Sequence, residues 1–194
     1  MARRREAAAV FADGQLDPFD HSEKQYGGRR GAWRLLEIIA KHGVRGTWLI
    51  CGATCEKYPQ VSRAVKKAGH NVERRSALHG RWTRTRTPGD SLCVLQQCRA
   101  GRSNHQSFSV NPYVTWLSNT PDFMLQALKT SFDALYERAA QKAVMMPLAV
   151  HDFIVGRPSR SKILDEFITY AKQFEGVAFT THDELAGWWR AHRA

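Results

Sequence analysis

Helical stripes and short apolar runs alternate along this chain, and no other feature of the sequence constrains the fold as strongly. The segment "GAWRLLEIIAKHG" places Leu35, Leu36 and Ile39 on one face and predicts a helix that stops at Gly43. The apolar run at residues 44–51 then predicts a strand. "YPQVSRAVKKAG" predicts a second helix. Helix, strand and helix in close succession favour an α/β fold with parallel strands.

The C-terminal half repeats this alternation. Thr120 and Pro121 are typical of a helix start, and "VMMPLAV" at residues 144–150 is a continuous apolar run that predicts a strand covered on both faces. Pro147 argues against a central place in the sheet, because proline cannot donate to the ladder. A further helix is predicted over residues 159–174.

The end of the chain carries a second, short strand signal and a helix cap. "VAFT" at residues 177–180 predicts a strand that would bring His182 to its tip, as residues 144–150 bring His151. Thr181 and Glu184 form a Thr-x-x-Glu capping box for a last helix.

Length and composition predict one domain over residues 1–194. The chain has 194 residues, 43% of them hydrophobic, and a net charge of +11. No run of about 20 apolar residues is present and no targeting segment is visible, so we expect a cytoplasmic protein without a membrane span. The four cysteines lack the C-x-x-C spacing of common zinc sites, which favours free thiols; they are Cys51, Cys55, Cys93 and Cys98.

A basic, irregular stretch interrupts the pattern at about residues 74–106. It contains seven arginines and a single acid, Asp90, and so supplies six of the eleven net positive charges. A nucleic-acid loop is one interpretation, although only Trp82 and Phe108 lie near for base stacking. An irregular insert, or a stretch of altered reading frame, is the other. Periodicity is weak throughout, apart from a faint pattern at residues 92–98, and we predict low order over residues 81–106.

The flanks of this stretch resemble the polysaccharide deacetylase family, the NodB homology domain. The family's Tyr-Gly-x-Arg-x-Gly, His-Gly-x-x-x-Thr, Glu-x-Tyr-Pro and Ala-Gly-His-Glu-Ile segments correspond to residues 26–31, 42–47, 56–59 and 68–72. "LAVHDFIVGRPSR" and the residues after it resemble the C-terminal end of the branch with allantoinase-like ureide hydrolases and some peptidoglycan deacetylases. The resemblance implies a distorted (β/α) barrel of the NodB type, here partial or reduced, with its chemistry at the C-terminal ends of the strands.

The resemblance also implies a set of catalytic residues. Members of the family hold a divalent metal such as zinc with one aspartate and two histidines, and a neighbouring aspartate acts as base. A histidine from the late Leu-x-x-His strand protonates the leaving nitrogen. On this chain His151 matches that acid, and Asp152 would orient or tune it. Arg157 and Arg160 would support the acid or contact an anionic substrate group, or simply form a solvated helix start.

The metal-binding residues of the family pattern are matched only in part on this chain. Asp13 is the nearest match to the aspartate of the family's first motif, as metal ligand and catalytic group, with Asp17 and Asp20 competing. Direct counting from His70 puts Arg75 at the first ligand histidine and His79 at the second. A second alignment, to a His-Gly-x-x-Trp variant, also keeps His79 and adds Trp82 as a substrate contact. Because a charged guanidinium has no free lone pair, Arg75 cannot replace a histidine, and a chain without a bound metal is the alternative.

Two functions of different classes follow. The first is a carbon–nitrogen hydrolase acting on an N-acetylated sugar or a ureide in carbohydrate metabolism. The second is an inactive family relic or scaffold; a nucleic-acid binder is less favoured. The expected partner is a carbohydrate or small amide substrate, without a membrane, and a homo-oligomer stays open. A shortened middle would give either a reduced, incompletely closed α/β domain or a chain that folds poorly alone.

Overall fold

The fold is a parallel sheet surrounded by helices. A computed structural model describes residues 18–75, 94–96, 120–140 and 144–192. The strands in these ranges are β1 (Thr47–Cys51), β2 (Asn71–Arg75), β3 (Val94–Gln96) and β4 (Leu148–Ala149). The α-helices are α1 (Pro18–Tyr26), α2 (Ala32–Lys41), α3 (Gly52–Lys57), α4 (Pro59–Lys67), α5 (Pro121–Ala139), α6 (Asp152–Val155), α7 (Pro158–Ala171) and α8 (His182–His192). A π-helix, Gly27–Gly31, connects α1 to α2.

The strands have the order β2-β1-β3-β4 and pair in parallel wherever pairing is described. The parallel α/β architecture predicted from the sequence is therefore confirmed. β4 begins directly after Pro147 and lies at an edge of the described sheet, as a proline that cannot donate would require.

Two sequence-based expectations need correction. Residues 177–180 form no strand. Instead, the Thr180 hydroxyl and the Thr181 N–H donate to the Glu184 carboxylate, at 3.1 and 2.9 Å, so the end of this segment caps a helix. Low order is also wrong for Val94–Gln96, which joins the sheet between β1 and β4 inside the basic stretch. The rest of that stretch from residue 76 to 106 lies outside the described residues.

One hydrophobic core connects the sheet with the helices around it. Trp48 and Ile50 of β1, and Leu148 of β4, pack in the same cluster as side chains from α2, α4, α5, α6 and α7. The outer side of this core is aromatic where α5 meets α7: the Phe132 ring lies 6.1 Å from Phe167 and 5.0 Å from Phe174, edge to face in both cases. The helical stripes read from the sequence are thus the buried faces.

The predicted helix ends are present. The Thr120 hydroxyl accepts the Phe123 N–H at 3.4 Å, and in the capping box the Thr181 hydroxyl accepts the Glu184 N–H at 3.4 Å. Gly43 and Gly176 follow helices with φ of 61° and 75°, a region that favours glycine. Local sequence chemistry therefore sets where these helices begin and end.

A buried histidine lies at the amino end of β2. His70 is 8% exposed, its Nδ1 accepts the Gly46 N–H at 3.2 Å, and its ring lies 5.9 Å from the Trp48 ring. Because it accepts this hydrogen bond, the ring nitrogen must be unprotonated. Burial, with a smaller contribution from the Arg45 charge, holds the pKa of His70 below its usual value.

This pKa predicts a loss of stability in mild acid. In the unfolded chain the His70 ring takes up a proton near pH 6.5, which is above the pH at which it does so in the folded chain. The contribution of the neutral ring to the free energy of unfolding is therefore complete above about pH 6.5 and is lost as the pH falls. We expect the free energy of unfolding, from urea melts, to decline between about pH 7 and about pH 5. In His70→Gln, whose amide oxygen can accept the Gly46 N–H, this decline should be smaller.

Carboxylates should not obscure this window. The hydrogen bond from Lys41 lowers the pKa of Asp165, and the one from the Thr181 backbone lowers the pKa of Glu184. Both carboxylates therefore lose their contributions to the free energy of unfolding only at a more acidic pH. Equal slopes in the wild type and in His70→Gln would contradict the assignment.

Candidate functional site

His151 lies just past the carboxyl end of β4 and is buried, with 8% of its surface exposed. It occupies the cap position of α6, where its carbonyl accepts the N–H groups of Ile154 and Val155 at 3.1 and 2.8 Å. Its ring lies 5.1 Å from the Phe153 ring. The side chain is therefore held on a rigid turn at the end of a strand, as the sequence predicted.

The strand register places this turn along the sheet. Ala149 is level with Gln96, and Gln96 is level with Thr47, the first residue of β1. His151 lies two residues past Ala149, whereas Cys51 lies four residues past Thr47. By this register His151 lies two residues, or about 6.6 Å, short of the level of Cys51 at the carboxyl end of β1.

The π-helix packs directly on the turn after His151. A Cβ added to Gly31 would lie 2.0 Å from the Asp152 carbonyl oxygen, and one added to Gly156 would lie 2.1 Å from the same atom. A Cβ on Gly27 would lie 2.6 Å from Oδ1 of Asp152, an atom that also accepts the Phe153 N–H at 2.9 Å. Only residues without a side chain allow this approach.

An arginine and a tyrosine bind the end of the same turn. Nη1 of Arg34 donates to the Tyr26 hydroxyl at 2.9 Å and to the Gly156 carbonyl. The Tyr26 hydroxyl in turn donates to the Gly156 carbonyl at 3.4 Å. Arg157 lies over the Tyr26 ring, 4.8 Å from its centroid, and forms an ion pair with Glu23. We call Tyr26, Arg34 and Gly156 the clasp.

Sequence reasoning did not find the clasp. The segment at residues 26–31 stands out only by its resemblance, and Arg34 lies between Trp33 and the core residue Leu35. The available signal was the spacing of Gly27 and Gly31, since two glycines four residues apart leave one helix face without side chains.

The predicted arginine contacts have different surroundings. The charge of Arg157 already faces that of Glu23, so this side chain connects α1 to the turn after α6. Arg160 is half-buried in the first turn of α7. Their proposed contact with substrate stays a prediction.

Several predicted site residues cannot be placed. Asp13, Asp17, His79 and Trp82 lie outside the described residues, as do Cys93 and Cys98, and the side chain of Asp20 is not described. Cys51 and Cys55 are free thiols.

The described residues do not fit a metal centre. Across residues 18–75, 94–96, 120–140 and 144–192, no group of three or more His, Cys, Asp or Glu side chains could hold an ion. Arg75 is the last residue of β2 and is level with Cys51 at the carboxyl end of β1. The position to which the resemblance assigns a ligand histidine is thus at the expected end of its strand, but holds an arginine.

His182 does not join His151 at a strand end. It begins α8, its N–H donates to the Thr47 hydroxyl at 2.9 Å, and its Nδ1 lies 2.8 Å from Glu73 Oε1. Thr47 is the first residue of β1, so these contacts attach α8 to the amino half of the β1–β2 pair. The expectation that His182 caps the carboxyl end of a strand is wrong, because residues 177–180 do not join the sheet.

Comparison with known proteins agrees with this fold. The structure superposes on a Pseudomonas aeruginosa PAO1 protein described as a polysaccharide deacetylase with a TM-score of 0.71 and 20% identity, over 93% of this chain and 79% of that one. For PuuE allantoinase the TM-score is 0.74, with 21% identity over 93% and 78%. A Mycobacterium smegmatis protein described as a polysaccharide deacetylase gives 0.64, with 18% identity over 91% and 82%. At these identities the likeness establishes a NodB-type α/β fold.

Sequence comparison supports a family for this chain. The sequence model of the family described as polysaccharide deacetylase matches residues 5–100. A Schizosaccharomyces pombe protein named as a polysaccharide deacetylase is 22% identical over 243 aligned positions, covering 86% of this chain and 75% of that protein. Together these comparisons support a NodB-like polysaccharide deacetylase family for this chain, as its motifs predicted.

No helix among the described residues is both long and apolar enough to cross a membrane.

The glycine packing predicts a large effect of a single methyl group. Gly31 and Gly156 have helical φ of −61° and −70°, so alanine is penalised at either position only by its contacts. We expect Gly31→Ala to lower the free energy of unfolding by about 3 kcal/mol, because its Cβ meets backbone that cannot move aside. Denaturant melts measure this loss.

Gly52→Ala is the matched control. Gly52 also lies at a helix start, but a Cβ there meets nothing within 4 Å. Its free energy of unfolding should change by less than about 1 kcal/mol. Equal effects of the two substitutions would contradict the packing.

Proposed function

We propose that this chain is a carbon–nitrogen hydrolase that uses His151 as general acid on an N-acetylated sugar or a ureide. The likeness to the polysaccharide deacetylase family supports the reaction class. The observation that carries the proposal is the place of His151, buried at the carboxyl end of β4 on a turn held from two sides.

The residues around His151 suit proton transfer. Hydrolysis of an amide requires that the leaving nitrogen receive a proton, and an imidazolium held on rigid backbone can supply it. Asp152 follows directly, and because its Oδ1 accepts the Phe153 N–H, its carboxylate is oriented within the same turn.

A bound metal would polarise the carbonyl and activate water, and Asp13 and His79 would be its ligands by resemblance. The described residues supply no such ligand group, so no step is assigned to a metal here. Trp82, Arg157 and Arg160 remain proposed substrate contacts, within a single domain over residues 1–194.

Two kinds of neighbour support the proposed substrate class. Two of the superposed structures are described as polysaccharide deacetylases and one as an allantoinase. Both reactions cleave a carbon–nitrogen bond outside a peptide. We therefore propose an N-acetylated sugar first, in carbohydrate metabolism, and a ureide second. A cytoplasmic location remains part of this proposal.

A second candidate function is a scaffold without catalysis. Arg75 favours it, because a cation occupies the strand end where the family pattern has a metal-binding histidine. We therefore expect slow turnover even if the hydrolase proposal is correct. Nucleic-acid binding has no support from the described residues, since the basic stretch lies largely outside them.

Replacing His151 tests the hydrolase. His151→Gln keeps the size of the side chain but cannot donate a proton as an acid, so kcat on an N-acetylated chito-oligosaccharide or on allantoin should fall by about 100-fold. Fluorogenic detection of the released amine measures the sugar reaction. The melting temperature should change by only a few degrees, because the turn is held through backbone.

His182→Gln is the control, since His182 contacts the amino half of β1 and β2. It should retain kcat. Equal losses in both variants, with parallel losses of melting temperature, would show that His151 has only a structural role.

The scaffold has its own test. If the wild type releases no product, the variant Arg75→His should bind one equivalent more zinc than the wild type, as measured by calorimetry, because imidazole is a metal ligand and guanidinium is not. No gain in zinc binding would contradict the view that Arg75 occupies a ligand position.

A further inference from the structure

The clasp connects two parts of the chain that lie far apart in sequence. Arg34 is in α2 and Gly156 follows α6, so a residue near the start of the chain binds the turn that carries His151. The Gly156 carbonyl lies past the end of a four-residue helix and has no helical partner of its own. A cation that donates to it satisfies an acceptor that the helix leaves open.

The geometry makes this a closed set of contacts. Arg34 Nη1 carries two hydrogens, which reach the Tyr26 hydroxyl and the Gly156 carbonyl. The Tyr26 hydroxyl accepts one bond and donates to the same carbonyl. Arg157, the next residue, covers the Tyr26 ring. The Gly156 carbonyl thus holds Tyr26 at its hydroxyl, and the Arg157 guanidinium holds it at its ring face.

The turn transmits this constraint to His151. The Gly156 N–H donates to the Asp152 carbonyl at 3.0 Å, and the Val155 N–H donates to the His151 carbonyl at 2.8 Å. Gly31 closes on the same Asp152 carbonyl from the other side. A displacement of Gly156 therefore displaces the peptide that carries His151, because too little free volume remains for the turn to adjust.

We propose that Arg34, acting with the Tyr26 hydroxyl, is a positioning residue that holds the His151 turn in place through the Gly156 carbonyl. This rests on the proposed function in its last step only, where the turn serves a general acid. An arginine suits the role better than a lysine, because a charged, planar donor group holds two acceptors at fixed angles.

Four variants separate positioning from general stability. Arg34→Met keeps the length of the side chain but removes the donors, and Arg34→Lys keeps the charge. Tyr26→Phe removes one hydroxyl. Arg63→Met is the matched control, because Arg63, on the exposed face of α4, also donates to a backbone carbonyl, that of Pro59, at 3.3 Å.

Amide hydrogen exchange and histidine NMR give the primary readout. In Arg34→Met we expect exchange at Val155 and Gly156 to rise about ten-fold, while amides of β1 keep their rates, because only the turn opens. The His151 ring resonances, assigned by loss in His151→Gln, should shift, whereas those of His70 should not. Tyr26→Phe and Arg34→Lys should lie between Arg34→Met and the wild type, and Arg63→Met should match the wild type.

Two results would overturn the proposal. One is unchanged exchange at Val155 and Gly156 in Arg34→Met. The other is an equal rise across β1 and the turn, which would mean a loss of global stability alone.

Turnover distinguishes this proposal from the proposed function. If the wild type hydrolyses substrate, Arg34→Met should lower kcat with little change in KM and should alter the alkaline limb of the pH profile of kcat/KM. An unchanged pH profile would contradict the inference that the clasp acts on the general acid. If the wild type hydrolyses nothing, the proposed function fails, and exchange and NMR still decide whether Arg34 positions the turn.

Discussion

The close approach of two backbone segments at Gly31 and Gly156 determines how the rest of the molecule is assembled. Both glycines press on the carbonyl of Asp152, at distances that a methyl group would not permit. The contact fixes α1, the π-helix and α2 against the turn between β4 and α7. Since β4 has only two paired residues, its position depends on these contacts more than on the sheet ladder.

The π-helix allows this close contact. Its three glycines are buried while Arg29 and Arg30 face solvent, so one side of the turn meets protein with backbone alone. Gly28 meets the Tyr58 ring from the β1–α4 connection, and Gly27 meets Asp152. The segment therefore lies between connections that follow β1 and β4, where a barrel of this kind has its chemistry. Close packing there restricts how far His151 can move.

Much of the fold could be predicted because local chemistry determines it. The Thr181–Glu184 box, the Thr120 cap and the apolar stripe of α2 each depend on residues within a few positions of one another. The strand predicted at residues 177–180 failed because its apolar residues are as compatible with a packed loop as with a ladder. Val94–Gln96 was not predicted as a strand, because the sequence around it is basic and irregular. It is a strand because it pairs with β1 and β4, which are distant in sequence.

The position of His151 could be predicted from the sequence, but the contacts that hold its turn could not. His151 was evident from an apolar run that ends in a polar tip. The clasp was not, because nothing near Arg34 in the sequence indicates that its partner lies 122 positions later, at Gly156. His182 was misplaced for the same reason, since its position follows from contacts with Thr47 and Glu73 rather than from the chain before it.

We propose that the His151 turn carries the general acid of a carbon–nitrogen hydrolase. The most direct test is the acetate that the wild-type chain releases from an N-acetylated chito-oligosaccharide, followed as a function of pH. We predict slow release, with acetate and free amine in equal amounts, and a rate that falls at alkaline pH because a general acid must hold its proton. No acetate at any pH, or a rate that keeps rising with pH, would contradict the account.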